Sequence, residues 1–316
     1  MLLGHETAWR EWRKALGGER MHHAWLLAGR HGVGKGSFAF AAACELVGVD
    51  PADAQNHPDI LTLTYAPKDD KEERKRADGK PYEVARSIRI AQVRGMQARL
   101  GTRPTLGDKR AIIIDPADDL ERNAANALLK SLEEPPIGTY FLLVAHSPAR
   151  LLPTIRSRCR VLRFPTVSDA EMDRLLADLS PGADTATRAA AIAAAGGSPG
   201  AALQFVDMEL GKVRQAMDAI LARGDPDFQL RGTLAGLIGA RPDRERIRAV
   251  LELARSAVAQ RLDGAMADPR PVIDTHSELV RLTGEQPTYN FDAGLLAMEI
   301  GTLLAKAATA SERADG

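Results

Sequence analysis

Gly29, Gly34 and Lys35, in the run GRHGVGKGS at 29–37, have the types and spacing of a phosphate cradle. In the pattern G-x-x-x-x-G-K-[ST], the glycines let a tight turn wrap backbone N–H groups around a polyphosphate at a helix N-terminus. The lysine reaches the β and γ oxygens, and the final hydroxyl holds Mg²⁺. Gly29 to Gly34 and Lys35 meet the pattern, and Gly32 adds a further turn glycine, but the hydroxyl position is Gly36. Ser37 comes one residue late, and one step along a helix rotates a side chain by about 100°, so its hydroxyl does not take over the metal.

Nucleotide hydrolysis also needs an acidic pair at a buried strand end, one Asp for Mg²⁺ and a neighbouring Glu to activate water. The apolar run IIID ends at Asp115, and the next residue, Pro116, has no carboxylate. Asp118 and Asp119 lie past the strand end, where they are expected to cap the helix LERNAANALLKSLEEPP. Two defects in independent parts of one machine argue against ATP hydrolysis by this chain. Two readings of the glycine-rich turn stay open: a strand–helix connection kept for packing, or a passive site for nucleotide or phosphate. Arg156, Arg158, Arg160 and Arg163 crowd the stretch LLPTIRSRCRVLRF at 151–164. Such arginines are either solvated side chains or guanidiniums projected from a rigid strand end, as one subunit reaches a neighbour's γ-phosphate.

These residues need a scaffold, and the apolar runs supply one. AWLLAG (24–29), RAIIIDPADDL (110–120) and TYFLLVAHS (139–147) are continuously apolar, as strands of a sheet covered on both faces must be. CRVLRF (159–164) and DILTLTY (59–65) complete a parallel five-stranded sheet alternating with helices, an α/β nucleotide-binding core over 1–166. Within NAANALLKSLEEPP (123–136), Ala125, Leu128, Leu129 and Leu132 share one helical face, and the proline pair forbids continuation. The segment APKDDKEERKRADGKPYEVARS (66–87) is dense in both charge signs and poor in apolar residues, and reads as a mobile, solvated loop. From Asp169 on, strand-like runs disappear and alanine-rich helical spacing takes over, interrupted at GGSPGAAL (196–203) by glycines and a proline that stop one helix and start the next. The predicted organisation is a core over 1–166, a small helical lid over 167–207 and an all-α C-terminal domain over 208–316, its last dozen residues frayed.

Composition excludes several function classes. Lys plus Arg and Asp plus Glu number 42 each, so no global basic field announces nucleic acid, and aromatics at 4% give little for base stacking. Cys44 and Cys159 are the only cysteines, which fits a reduced cytoplasmic protein with no disulfide framework and no zinc. His57 is then a lone structural histidine at a strand start rather than a ligand. Charges throughout the first twenty residues, and no long apolar run, predict neither a signal peptide nor a membrane span.

NALLKSLEEPP (126–136), followed by TYFLLVAHSP (139–148) and LLPTIRSRC (151–159), resembles the clamp-loader branch of the AAA+ proteins, strongly from about residue 20 to 205 and in outline beyond. The resemblance implies an AAA+ core, a helical lid and a C-terminal collar that joins other subunits in a ring. The ring loads a sliding clamp onto primer-template DNA during replication. SRC at 157–159 is similar to the family's arginine-finger motif, which implies that Arg158 acts in trans on ATP held by an adjacent subunit, with Ser157 and Cys159 setting its geometry. Hydrolysing relatives carry Arg where this chain has Gly200, so the resemblance implies a third lost contact to nucleotide. It implies partners in the gamma/tau and delta subunits, the clamp and primed DNA through the complex. It implies no ATPase or polymerase chemistry in this chain, and no required cofactor beyond passively held ATP or ADP. The competing reading within the family is an ATP-hydrolysing motor subunit of the gamma/tau kind. Most relatives insert a four-cysteine zinc module where this chain has ELVGVDPADAQNHPDI (45–60), a departure that again predicts no zinc.

Overall fold

The computed structural model describes residues 5–262, 268–285 and 292–312, and it divides after Thr166 into two compact units. In the N-terminal unit, helix α1 (Glu6–Leu16) leads into strand β1 (Ala24–Gly29), helix α2 (Lys35–Val47), β2 (Ile60–Leu63), α3 (Asp70–Ala77), α4 (Ile90–Leu100) and β3 (Arg110–Ile114). Helix α5 (Arg122–Glu133), β4 (Thr139–Ala145), α6 (Pro153–Arg156) and β5 (Arg160–Phe164) complete it. The five strands form one parallel sheet in the order β2-β3-β4-β1-β5, as the apolar runs predict.

Alternation along each strand feeds two apolar layers. Ala24 and Leu26 of β1, Ile112 and Ile114 of β3, and Phe141 and Leu143 of β4 face one layer, together with Val93 and Met96 of α4 and Leu128 and Leu132 of α5. Trp25, Leu27, Ile113, Leu142 and Val144 face the other, with Trp12 of α1 and Phe38, Ala39 and Ala42 of α2. The small alanines let α2 lie close against the sheet directly after the phosphate-loop turn, which fixes that turn at the C-terminal end of β1. On α5 the buried stripe takes in Ala124 and Ser131 beside Ala125, Leu128 and Leu132, while Leu129 is only half-buried.

The charged segment 66–87 corrects the expectation of a loop, because it contains α3. Asp69 caps α3 by accepting the Glu72 N–H (3.0 Å), and buried Glu72 pairs with Lys75 (2.8 Å) while accepting the Glu83 N–H (2.8 Å). Backbone bonds from Ala85 N to Ala66 O (2.7 Å) and from Lys68 N to Glu83 O (3.0 Å) close the segment's base. Charges of opposite sign three residues apart pair along a helix face, so order here comes from local pairing rather than from an apolar core.

The C-terminal unit is all-helical among the described residues: α7 (Asp169–Leu179), α8 (Thr185–Ala195), α9 (Pro199–Asp207), α10 (Gly211–Arg223), α11 (Gln229–Ile238), α12 (Arg244–Ala259), α13 (Arg270–Glu285) and α14 (Ala293–Glu312). One apolar core joins all eight, from Met172 of α7 and Ala191 of α8 through Met217 of α10 to Leu304 of α14. GGSPGAAL does stop α8 and start α9: Ser198 accepts the Ala201 N–H as N-cap, and Pro199 takes the first helical position. Gly200 follows within the first turn of α9. Helix α14 runs to Glu312, and residues 313–316, part of the stretch expected to fray, lie outside the described residues. No described helix is long and apolar enough to cross a membrane.

Candidate functional site

Gly34 caps α2 in the left-handed region (φ 99°), and Gly32 shares that sign (φ 76°), so the turn needs glycine at both positions. The turn packs onto itself. Lys35 is 2% exposed, and its Nζ donates to the carbonyls of Gly29 (2.8 Å) and Arg30 (2.6 Å), the residues that open the loop. The position of the missing hydroxyl is occupied by a neighbour: a Cβ on Gly36 would stand 2.5 Å from Asp115 Oδ2. The loop residues Gly29, Gly32, Gly34, Lys35 and Gly36 form one turn, with Lys35 bonded back to Gly29 and Asp115 beside Gly36 and Lys35. Burial pushes the Asp115 carboxyl above its ordinary range, with the Lys35 charge drawing it back and Asp118 adding to the rise. Pro116 follows Asp115 through a cis peptide and supplies no carboxylate. His31 of the turn meets His146, just past β4, edge to face with ring centroids 4.6 Å apart.

Asp118 and Asp119 do not cap α5, whose N-cap is Glu121 without a side-chain bond. They lie in a short 3-10 turn (Ala117–Asp119), followed by extended residues that carry the chain to α5, and their carboxylates are engaged elsewhere. Asp118, buried, instead accepts the backbone N–H groups of His146 (3.1 Å) and Ser147 (2.7 Å), holding the end of β4. Asp119 accepts from the Tyr65 hydroxyl and pairs with Arg150 (3.0 Å).

Arg158 stands elsewhere. The register Trp25↔Arg160 and Gly29↔Phe164 places the phosphate loop at the C-terminal end of the β1–β5 pair and Arg158 just before its N-terminal end. β5 alone separates the two by about 13 Å at 3.3 Å per residue, so Arg158 does not serve this chain's own loop. Its Nη1 donates to Thr154 O (2.9 Å), and its Nη2 pairs with Glu133 Oε1 (2.5 Å). Ser157 Oγ donates to the same Thr154 carbonyl (3.1 Å). Cys159 packs against the apolar layer that includes Leu132 and Ile155, and burial pushes its thiol up to about 12. Of the other arginines, Arg156 donates to Pro148 O (3.3 Å) and Arg160 lies over the Trp25 ring at 5.0 Å. The sequence does not mark Glu133 as Arg158's partner; its one local signal is its place in the last turn of a helix, where a carboxylate meets the negative end of the dipole.

Among the described residues no group of three or more His, Cys, Asp or Glu converges as a metal site would require. His57 Nδ1 accepts the Asp59 N–H (3.2 Å) at the start of β2. Asp59 itself is fully buried against Arg110, with 3.3 Å between Oδ1 and Nη2.

Residues 4–168 match the family model described as DNA polymerase III, delta subunit. The DNA polymerase III subunit delta' of Pseudomonas aeruginosa is 35% identical over 207 residues, 60% of this chain and 58% of that protein. Its Escherichia coli counterpart is 30% identical over 233 residues, 69% of this chain and 64% of that protein. The chain thus spans about three-fifths of the length of these relatives. A DNA polymerase III gamma-subunit-related protein of Thermotoga maritima shares the fold, with a TM-score of 0.53 at 16% identity over 95% of this chain and 99% of that one.

Proposed function

The chain belongs to the DNA polymerase III delta subunit family, and from that premise we propose that it is a delta-prime-type, non-hydrolysing subunit of a clamp loader. Its chemical contribution is Arg158, offered in trans to ATP held by an adjacent subunit. A guanidinium that neutralises charge on the equatorial oxygens of a transferring phosphoryl group needs no Mg²⁺ on its own chain. The observation that carries this is the separation of Arg158 from the chain's own phosphate loop by the length of β5. Support comes from Gly36 and Pro116, which leave the loop without a metal hydroxyl and without a second carboxylate, and from Lys35, whose amino group is spent on the loop's own carbonyls. Partners on this reading are the gamma/tau and delta subunits, and through them the sliding clamp and primer-template DNA; ATP or ADP at this chain's loop would be held passively, and zinc has no place.

The test is the ATPase of the reconstituted loader with Arg158→Ala. A trans arginine is worth about 10³-fold or more at the site it serves, so the ring's rate should fall by nearly that site's whole share. An unchanged ring rate refutes the assignment. Equilibrium nucleotide binding to the purified chain separates this reading from a gamma/tau-like motor: Mg²⁺-dependent binding with turnover would establish the motor instead.

A further inference from the structure

Arg158 does not project freely from its strand end. Its guanidinium is held at two points on its own chain, by the Thr154 carbonyl at 2.9 Å and by Glu133 Oε1 at 2.5 Å. Both ends of the ion pair stand on rigid backbone. Leu132, next to Glu133, and Ile155, three residues before Arg158, are both buried in the same apolar layer, and the Arg158 N–H bonds to Ile155 O (3.1 Å). The pair is therefore set by the packing of α5 against α6 rather than by chance meeting of two long side chains. The charges also need each other. Glu133 is in the last turn of α5, where the helix dipole disfavours a carboxylate, and the Arg158 guanidinium offsets that penalty. An arginine that moves to a neighbour's phosphate leaves Glu133 uncompensated.

We propose that Glu133 is a positioning residue that latches Arg158 in cis, so that the arginine reaches a neighbouring subunit's phosphate only by giving up this pair. The proposal rests on the trans role of Arg158 proposed above. The latch holds the finger back until ring closure brings a phosphate close enough to compete for the guanidinium, and it keeps ATP turnover low before then. Both side chains are partly exposed, 35% for Arg158 and 48% for Glu133, so the restraint is modest and reversible, as a switch requires.

The experiment uses the complete reconstituted loader, with ATP turnover measured with and without clamp and primed DNA. Glu133→Gln, which keeps the shape and removes the charge, should raise the basal rate about two- to fivefold, the range a partly exposed ion pair contributes, and should lower the stimulation by primed DNA accordingly. Glu133→Lys, which repels the guanidinium and suits the helix end, should do the same or more. Combined with Arg158→Ala, either change should have no further effect, which a merely structural role for Glu133 would not produce. A basal rate that is unchanged or lowered by Glu133→Gln overturns the latch, as does an effect that persists without Arg158. If Arg158→Ala itself leaves turnover intact, the trans reading fails and the latch with it. If Arg158→Ala lowers turnover while Glu133→Gln is silent, only the latch fails.

Discussion

Replacing Asp59 should strip a large part of the stability of the N-terminal unit. Its carboxylate is fully buried, accepts the N–H groups of Thr105 (2.7 Å) and Leu106 (2.8 Å), and faces an Arg110 guanidinium whose side chain is 4% exposed. Removing one member of a buried ion pair costs about 3–5 kcal/mol, because the other charge is left uncompensated. Two features put Asp59→Ala near the low end. Arg110 keeps carbonyl acceptors on Arg99 (2.8 Å), Thr102 (3.2 Å) and Arg103 (2.8 Å), and the freed N–H groups belong to exposed residues that water can reach. We expect a loss of about 3 kcal/mol for Asp59→Ala and about 2 kcal/mol for Asp59→Asn, which keeps one acceptor oxygen.

The assay is urea unfolding followed by tryptophan fluorescence. Trp9, Trp12 and Trp25 are the chain's three tryptophans, and all lie in the N-terminal unit, so the signal reports that unit alone. With a urea slope of about 2 kcal/mol per M, the midpoint for Asp59→Ala should fall by about 1.5 M. A second signature comes from pH. Burial pushes the Asp59 carboxyl up, but hydrogen bonds from Leu106 and Thr105 and the Arg110 charge together outweigh it and hold the carboxyl below its ordinary range. A carboxyl depressed by folding contributes fully above the unfolded value, about 4, and that contribution is lost as pH falls through the folded value. The gap between the native protein and Asp59→Asn should therefore be constant from pH 8 to about 5 and narrow below about 4. A loss under about 1 kcal/mol for Asp59→Ala, or a gap that does not change between pH 7 and 3, refutes the pairing as the source of stability.

Gly36→Ser restores the missing hydroxyl, yet it should not create an ATPase, because Pro116 remains. The new Cβ, 2.5 Å from Asp115 Oδ2, must push that carboxylate to another rotamer, lowering the N-terminal unit's melting temperature by a few degrees for about 1 kcal/mol; Mg²⁺-dependent turnover by the purified variant would disprove this. The Cys159 thiol, pushed up to about 12 by burial, leaves about one molecule in 10⁴ as thiolate at pH 8, so it should resist a thiol reagent in the native chain and react promptly once urea unfolds it. Rapid labelling of Cys159 in the native protein at pH 8 would refute its shielding by the apolar layer.

Much of the core was legible because it is local. Strands β1, β3 and β4 carry unbroken apolar runs, whereas β2 (ILTL) and β5 (RVLRF) are interrupted by polar residues, and the glycine–lysine turn is legible against a fixed spacing, including the letter it lacks. What escaped was set by contacts between distant positions. The sequence places Asp118 as a cap because helix N-termini favour carboxylates nearby, but its partners are backbone N–H groups 28 and 29 residues away, brought near only where β4 lies beside β3. Glu133 and Arg158 are 25 positions apart and meet only through the packing of α5 against α6. The helix α3 is hidden for a different reason: its order rests on charge pairs at helical spacing, which leave no apolar periodicity in the sequence.

The phosphate loop shows why a single odd letter is best weighed with its neighbours. Gly36 alone removes a metal ligand; beside Asp115 it does more, since the glycine is what makes room for that carboxylate. The carboxylate in turn sits in a buried place that pushes it toward its neutral form and leaves the Lys35 charge as its main support, while the Lys35 amino group is shared with the carbonyls of Gly29 and Arg30. A phosphate entering this turn would have to draw the lysine from those carbonyls without the metal that normally shares the work of neutralising it. On the proposed reading the turn's remaining task is to join β1 to α2 and hold the C-terminal end of the sheet, while chemistry is left to the opposite end of β5. There the guanidinium needs nothing from its own chain except a firm base, which Ile155 and Cys159 provide, and a restraint that can be released, which is the part assigned to Glu133.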